Sequence, residues 1–336
     1  MESYKIREQL GEGGQGKVLR AEVTSSARIS AFIGGPSTTE TAEELEDIEK
    51  YKEVAIKRIN VKIGGGNGID REAIRELQHM RELSHKHVMP LLDAFVFESA
   101  LHVVMPIAHG DLQQVTRNVS RYPQLQASIL KAWMLQLLQA INHCHQRYVL
   151  HRDIKPSNVL LSAHTGEVLL ADFGLAREYA TGERHRGKMS PQACTLWYRA
   201  PELLFGARSY GPAADMWSVG AVLGEMILRQ PIFPGKSELD QLTRIFSVVG
   251  TPTPDTWPNA TELPQFLEFE SNEGTDLRAL FAAAEPTAVD LFRRLCCLCP
   301  SRRLTAAQAL QHPYFHSGSE AASRATVMRL LYPDMP

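Results

Sequence analysis

Residues 11–18 read GEGGQGKV. Gly11, Gly13 and Gly16 have the G-x-G-x-x-G spacing of a phosphate-binding turn, but the spacing alone is a weak signal, because several nucleotide folds and ordinary glycine-rich turns supply it. The flanking residues decide between them. A dinucleotide turn opens directly into a helix. These glycines instead lead into KVLRAEV at 17–23, and YKIREQL at 4–10 precedes them, both with roughly alternating apolar and polar side chains. The pattern predicts two strands joined by a glycine turn. Such a hairpin can lie over phosphates as a flap, with backbone N–H groups reaching them because glycine has no side chain in the way.

Outward from the hairpin, residues 24–50 pass from Ser/Thr/Gly-rich to acidic, the composition of a disordered or partner-binding insertion. EVAIKRINV at 53–61 then reads as a strand, and GGGNG at 64–68 as a flexible link. In the next segment Ala73, Ile74, Leu77, Met80 and Leu83 recur at helical spacing, with Asp70 as a candidate N-cap. LHVVMPIA at 101–108 is another buried strand, ending near Pro106. Beyond 112 the periodicity turns helical, notably at 129–147 and 215–228. The expected class is α+β: a strand-rich first lobe and a mainly helical second lobe.

The 336 residues are 44% hydrophobic and 22% charged, an ordinary soluble balance, and the net charge of −2 gives no bulk attraction for nucleic acid. The N-terminus is polar from its second residue, and the apolar run at 219–228 is short and carries Glu225, so neither a signal peptide nor a membrane span is expected. Of five cysteines, Cys296, Cys297 and Cys299 cluster without a second C-x-x-C pair, which argues for reduced, packed thiols rather than disulfides or zinc. His85, His87, His143 and His145 lack nearby ligands and are read as surface or packing residues.

Ordered motifs carry the chemistry. VAIK places Lys57 on a strand, where it can meet nucleotide phosphates, and Glu76 on the following helix is its candidate partner. Glu72 and Glu76 are like charges at i, i+4, an arrangement that destabilises a helix unless one has another partner. HRDIKPSN at 151–158, DFG at 172–174 and APE at 200–202 follow in order. Asp153 would accept or orient the proton of an attacking hydroxyl, and Lys155 would steady the transferred phosphoryl. Asn158 and Asp172 are hard oxygen ligands for magnesium.

These residues resemble the eukaryotic protein kinases from about Tyr4 to His316, apart from the 24–50 insertion. The resemblance implies a two-lobed fold with a first lobe at 1–108, a second at 109–316 and a short tail at 317–336. It implies ATP and magnesium in a cleft between the lobes. There Met105 would be the gatekeeper, Ala108 would lie in the hinge at 105–111, Asp111 would contact ribose, and Val18, Ala55 and Leu160 would sandwich adenine. REAIREL at 71–77 is similar to the cyclin-contacting helix of cyclin-dependent kinases, and 195–220 with 233–258 look like that group's second lobe. The nearest likeness is to the subgroup that activates other cyclin-dependent kinases.

The same resemblance implies a buried Glu202–Arg303 ion pair and an Asp215 that braces the catalytic loop. It implies an activating phosphosite at Ser190, before Pro191, received by Arg75, Arg152 and Arg177. Gly14 and Gln15 stand where many relatives carry a Thr-Tyr pair whose phosphorylation inhibits. The implied partners are a cyclin-like subunit and protein substrates phosphorylated at Ser/Thr-Pro, among them other cyclin-dependent kinases or the RNA polymerase II tail. No nucleic acid or membrane contact is expected, and the expected location is nucleus and/or cytoplasm. A mitogen-activated kinase would carry Thr-x-Tyr where this chain reads KMSPQACTLWY. A pseudokinase scaffold commonly lacks one of the residues represented here by Lys57, Asp153 and Asp172.

Overall fold

A computed structural model describes residues 3–13, 16–25, 28, 29, 32, 51–60, 71–179 and 195–333. Five antiparallel strands make the first lobe: β1 (Tyr4–Gly13), β2 (Gly16–Val23), β3 (Glu53–Asn60), β4 (Asp93–Phe97) and β5 (Ala100–Pro106), in the order β1-β2-β3-β5-β4. The glycine turn joins β1 to β2, with Gly13 opposite Gly16. Gly16 has φ +141°, and a Cβ there would lie 2.0 Å from the Arg58 carbonyl oxygen, so this position admits only glycine.

Alternation along β3 divides its side chains between two faces. Val54 and Ile56 join a small outer core with Tyr4, Ala21, Ile29, Leu92 and Val104. Ala55 and Ile59 face the large core on the other side. Helix α1 (Arg71–Glu82) brings Ala73 and Met80 to that large core. The proposed N-cap Asp70 lies outside the described residues, as do 33–50 of the expected insertion and Gly14 and Gln15.

The second lobe begins with β6 (Ala108–Asp111), which runs into α2 (Leu112–Arg117). The long α3 (Ala127–Gln146) is followed by the short β7 (Val149–Leu150), then β8 (Val159–Ser162), β9 (Val168–Leu170) and β10 (Arg177–Glu178). β6, β8 and β9 form one small sheet, and β10 pairs with β7. Helices α4 (Pro212–Leu228), α5 (Glu238–Val249), α6 (Pro286–Leu295) and α7 (Ala306–Leu310) complete the lobe. α4 is buried on nearly all sides, as its mostly apolar sequence requires, and it carries Asp215 and Glu225 into the interior.

The segment expected to be a simple tail contains a docked helix, α8 (Arg324–Leu331), N-capped by Ser323. Its Val327 and Leu331 are buried. Fully buried Lys131 anchors the approach, donating to the carbonyls of Ser317 (3.0 Å) and Ser319 (2.7 Å) and pairing with Glu285 at 3.0 Å. The described helices include none long and apolar enough to cross a membrane. Among the described residues, Cys144, Cys296, Cys297 and Cys299 are free thiols, and no group of three or more His, Cys, Asp or Glu could hold a metal.

Candidate active site

The site forms where the two lobes meet. The β2–β3 ladder sets Val18 opposite Lys57, and the β3–β5 ladder sets Ala55 opposite Met105. Lys57 Nζ lies 2.9 and 2.7 Å from the two carboxylate oxygens of Glu76. The pair is closed in this structure. Burial pushes the Glu76 carboxyl up against the opposing pull of Lys57. That is the partner whose need the like-charged Glu72 and Glu76 signalled.

Below this pair, one carboxylate on α4 shapes the loop after β7. Asp215 accepts the backbone N–H groups of His151 and Arg152, both at 2.9 Å, and the Nε2–H of His145 at 2.9 Å. These bonds hold Arg152 at φ +69°. Burial alone would raise the Asp215 carboxyl, but His145 and the other donors outweigh it and keep it below the usual range. His145, read from sequence as a packing or surface residue, is therefore part of the brace.

The loop presents Asp153, whose carboxylate accepts four hydrogen bonds. Lys155 Nζ (2.6 Å) and Asn158 Nδ2 (3.0 Å) reach Oδ2, while the N–H (3.1 Å) and Oγ1–H (3.0 Å) of Thr195 reach Oδ1. Lys155 also donates to Thr195 Oγ1 at 3.1 Å. Burial works to raise the Asp153 carboxyl, and Lys155 and Thr195 together hold it lowered.

Asp172 follows β9 at φ +66°, a strained conformation for a residue other than glycine. Its Oδ1 is buried and accepts no hydrogen bond among the described residues. Asn158 spends its amide nitrogen on the Asp153 backbone carbonyl (2.8 Å) and carboxylate, which leaves its amide oxygen for another ligand. An orphaned carboxylate oxygen and an amide oxygen are the donors a hard divalent cation takes. The Ala171 N–H donates to the Asn158 carbonyl (2.9 Å), which ties the two segments together. His151 Nε2–H donates to the Ala171 carbonyl (3.0 Å), and its ring meets fully buried Phe173 edge-on at 4.8 Å.

Of the other expected site residues, β6 pairs Asp111 with Leu160 and Ala108 with Ser162. Asp111 also caps α2, accepting from Gln114 N (2.8 Å) and Nε2 (2.8 Å). Gly11 and Gly13 lie at the end of β1. Ser190 lies outside the described residues. Arg75 Nη1 donates to the Gly174 carbonyl (3.1 Å), and β10 sets Arg177 opposite Leu150, two residues before Arg152. The three arginines thus border the start of the segment that would carry Ser190. Glu202 and Arg303 form the expected buried pair at 2.6 and 2.7 Å.

Two features were missed in the sequence. Thr195 reads there only as the start of TLWYR, five residues after Ser190, although its hydroxyl is a direct partner of Asp153. The Arg117–Glu225–Tyr198 network went unread: Arg117 Nε donates to Glu225 Oε1 (2.7 Å), and the Tyr198 hydroxyl to Glu225 Oε2 (2.7 Å). The available signal was Glu225 itself, a charge inside the apolar run 219–228, which requires a buried partner.

A protein kinase domain model matches residues 34–315, beginning downstream of the glycine hairpin. A cyclin-dependent kinase 7 from Dictyostelium discoideum is 41% identical over 318 residues, covering 95% of this chain and 81% of the relative. A probable serine/threonine-protein kinase KIN28 homolog from Encephalitozoon cuniculi is 42% identical over 318 residues, covering 94% and 96%. Among solved structures, the CAK complex of Chaetomium thermophilum bound to ATP-gamma-S superposes with a TM-score of 0.82 at 35% identity, covering 96% of this chain and 94% of that one. With its two lobes, its Lys57–Glu76 pair and the ordered loop around Asp153, the chain belongs to the protein kinases, in the cyclin-dependent serine/threonine kinase group.

Proposed function

We propose that this kinase transfers the γ-phosphoryl group of ATP to Ser or Thr followed by Pro, and that a cyclin-like subunit seated on α1 controls it. The observation that carries the proposal is the Asp153 carboxylate, held by four donors beside Asn158 and Asp172. Lys57, steadied by Glu76, would draw in the nucleotide phosphates, while Met105, Ala108, Val18, Ala55 and Leu160 enclose adenine and Asp111 meets ribose. Asp153 would orient the acceptor hydroxyl and take its proton as the bond to phosphorus forms, and Lys155 would balance the charge on the transferring group. Asn158 and Asp172 would hold magnesium, which when bound supplies charge neutralisation across the phosphate oxygens.

A partner on α1 is supported by Ile74, an apolar residue of REAIREL that is 43% exposed on that helix. The names of the relatives support it too. Other cyclin-dependent kinases and the RNA polymerase II tail are the proposed substrates, in the nucleus and/or cytoplasm. Phosphorylation of Ser190 would add a charge for Arg75, Arg152 and Arg177 to receive. The test is a phosphate-transfer assay on an inactive cyclin-dependent kinase and on a Ser-Pro repeat peptide, with the full chain co-purified with its cyclin-like subunit. Asp153→Asn should lower turnover about 10²- to 10⁴-fold with little change in melting temperature. Near-wild-type turnover in that variant would refute the mechanism.

A further inference from the structure

α2, the residues just before it and the turn after it line an open cavity of about 400 Å³. Its nine lining residues include Arg117, Arg121 and His109, and no carboxylate. The charge of Arg117 is largely committed to Glu225, which is fully buried. Arg121 is different. It is exposed, its guanidinium lies 5.4 Å over the Tyr122 ring, and among the described residues no carboxylate pairs with it. His109 adds no positive charge near neutrality, because burial, helped by the charge of Arg121, lowers its pKa, and its Nε2 is occupied by the Tyr122 hydroxyl at 2.9 Å.

One wall of the cavity, α2, runs from the proposed ribose contact toward the segment that holds Asp153. Asp111, the proposed ribose contact, caps the start of α2. At the other end of α2, Arg117 stacks 5.6 Å over Trp197, two residues past the Thr195 that donates to Asp153. A protein substrate extending from Asp153 past Trp197 toward α2 would meet this basic pocket. Polar Gln113, Gln114 and Asn118 on its wall can complete the hydrogen bonding of an anion.

We propose that this cavity is a substrate-specificity subsite, in which Arg121, backed by Arg117, receives the carboxylate or phosphate of a substrate side chain near the acceptor. An arginine offers a planar fork of donors that matches either oxyanion in a bidentate manner. The subsite rests on the kinase reading and deepens it: the enzyme would favour Ser/Thr-Pro sites with a nearby acidic or already phosphorylated residue.

The test uses the full-length kinase with its co-purified partner and a neutral Ser-Pro parent peptide. A single Glu, or a single phosphoserine, is moved in turn through each position on either side of the acceptor. At one or two positions kcat/KM should rise about 5- to 30-fold over the parent. Arg121→Ala should abolish that gain, Arg121→Glu should turn it into a penalty, and Arg121→Lys should keep part of it, while all three phosphorylate the parent peptide like wild type. A gain from both residues would identify negative charge as the feature read, and a gain from phosphoserine alone would identify the phosphate. The subsite is refuted if no position gains in the wild type, or if Arg121→Ala keeps the gain. Absence of turnover on the parent would remove the kinase reading, and the subsite with it.

Discussion

Asp153 has a pKa held below the ordinary carboxylate range, so in the proposed reaction it would start as a weak base and a strong orienting acceptor. Against burial, Lys155 does most to lower it and the Thr195 N–H adds to that, while the Thr195 hydroxyl is a further donor to the same carboxylate at 3.0 Å. Thr195→Ala removes one donor to the charged form, so the acid limb of the kcat–pH profile should move to higher pH and kcat should fall about tenfold. Thr195→Ser should restore both, and an unshifted limb would separate Thr195 from the chemistry. Far from the cleft, the Arg303 side chain is completely buried and paired with Glu202. The carbonyls of Cys297, Leu298 and Ala213 accept its remaining donors at 2.7, 2.9 and 3.0 Å. Glu202→Gln leaves that guanidinium uncompensated and should destabilise the fold by about 3 kcal/mol, as read from urea unfolding.

Among the elements, α8 shows how a terminal helix is held by a turn rather than by a groove. Gly166, between β8 and β9, has φ +68°, and a Cβ there would lie 2.6 Å from Val327 Cγ1 and 3.3 Å from Leu331 Cδ1. The Trp133 indole N–H donates to its carbonyl at 3.0 Å, which fixes the turn from below. Gly166→Ala adds a left-handed backbone penalty of about 1 kcal/mol to a steric clash with α8. The melting temperature should fall, and limited proteolysis should cut between residues 317 and 333 earlier than in wild type. Equal protection in both proteins would mean that α8 is held elsewhere. α1 is the opposite case: its inner residues enter the core, while Ile74 stays on the surface where a partner can reach it.

For the whole molecule, the segment between α1 and β4 ties the first lobe to the second. His87 Nδ1–H donates to the Val168 carbonyl (3.1 Å), Leu170 N to the His87 carbonyl (2.9 Å) and Met89 N to the Leu170 carbonyl (2.9 Å). Burial, with the charge of Lys86 adding, lowers the His87 pKa to about 4. In the unfolded chain His87 binds its proton near the ordinary value of about 6.5. Between these values the unfolded state holds more protons, so the stabilising contribution is complete above about 6.5 and is lost as pH falls toward about 4. Melting temperature should drop through that window. His87→Asn, which keeps a donor for Val168, should flatten the drop, and an unchanged slope would assign it to other groups.

Much of this kinase was legible in its residues. The strand after the glycines excluded a dinucleotide fold, and VAIK, HRDIKPSN and DFG named Lys57, Asp153, Asn158 and Asp172 in order. Their chemistry depends on residue type at short spacing, which a sequence records directly. Even the Lys57–Glu76 pair had a local sign in two like charges one turn apart. What stayed hidden joins residues far apart in the chain. Thr195 reaches back to Asp153, Arg117 reaches forward to Glu225, and His145 reaches Asp215. No periodicity links such positions, because burial determines them: once packing removes water from Asp215 and Glu225, each must find its donors wherever the fold brings them. Sequence alone thus determined the two-lobed division, the glycine hairpin, the main strands and helices, and the types of the groups proposed to react. Only the tertiary structure decided which neighbours set the charge on Asp153, which face of α1 stays open and where α8 docks, since each follows from contacts made after the chain has closed on itself.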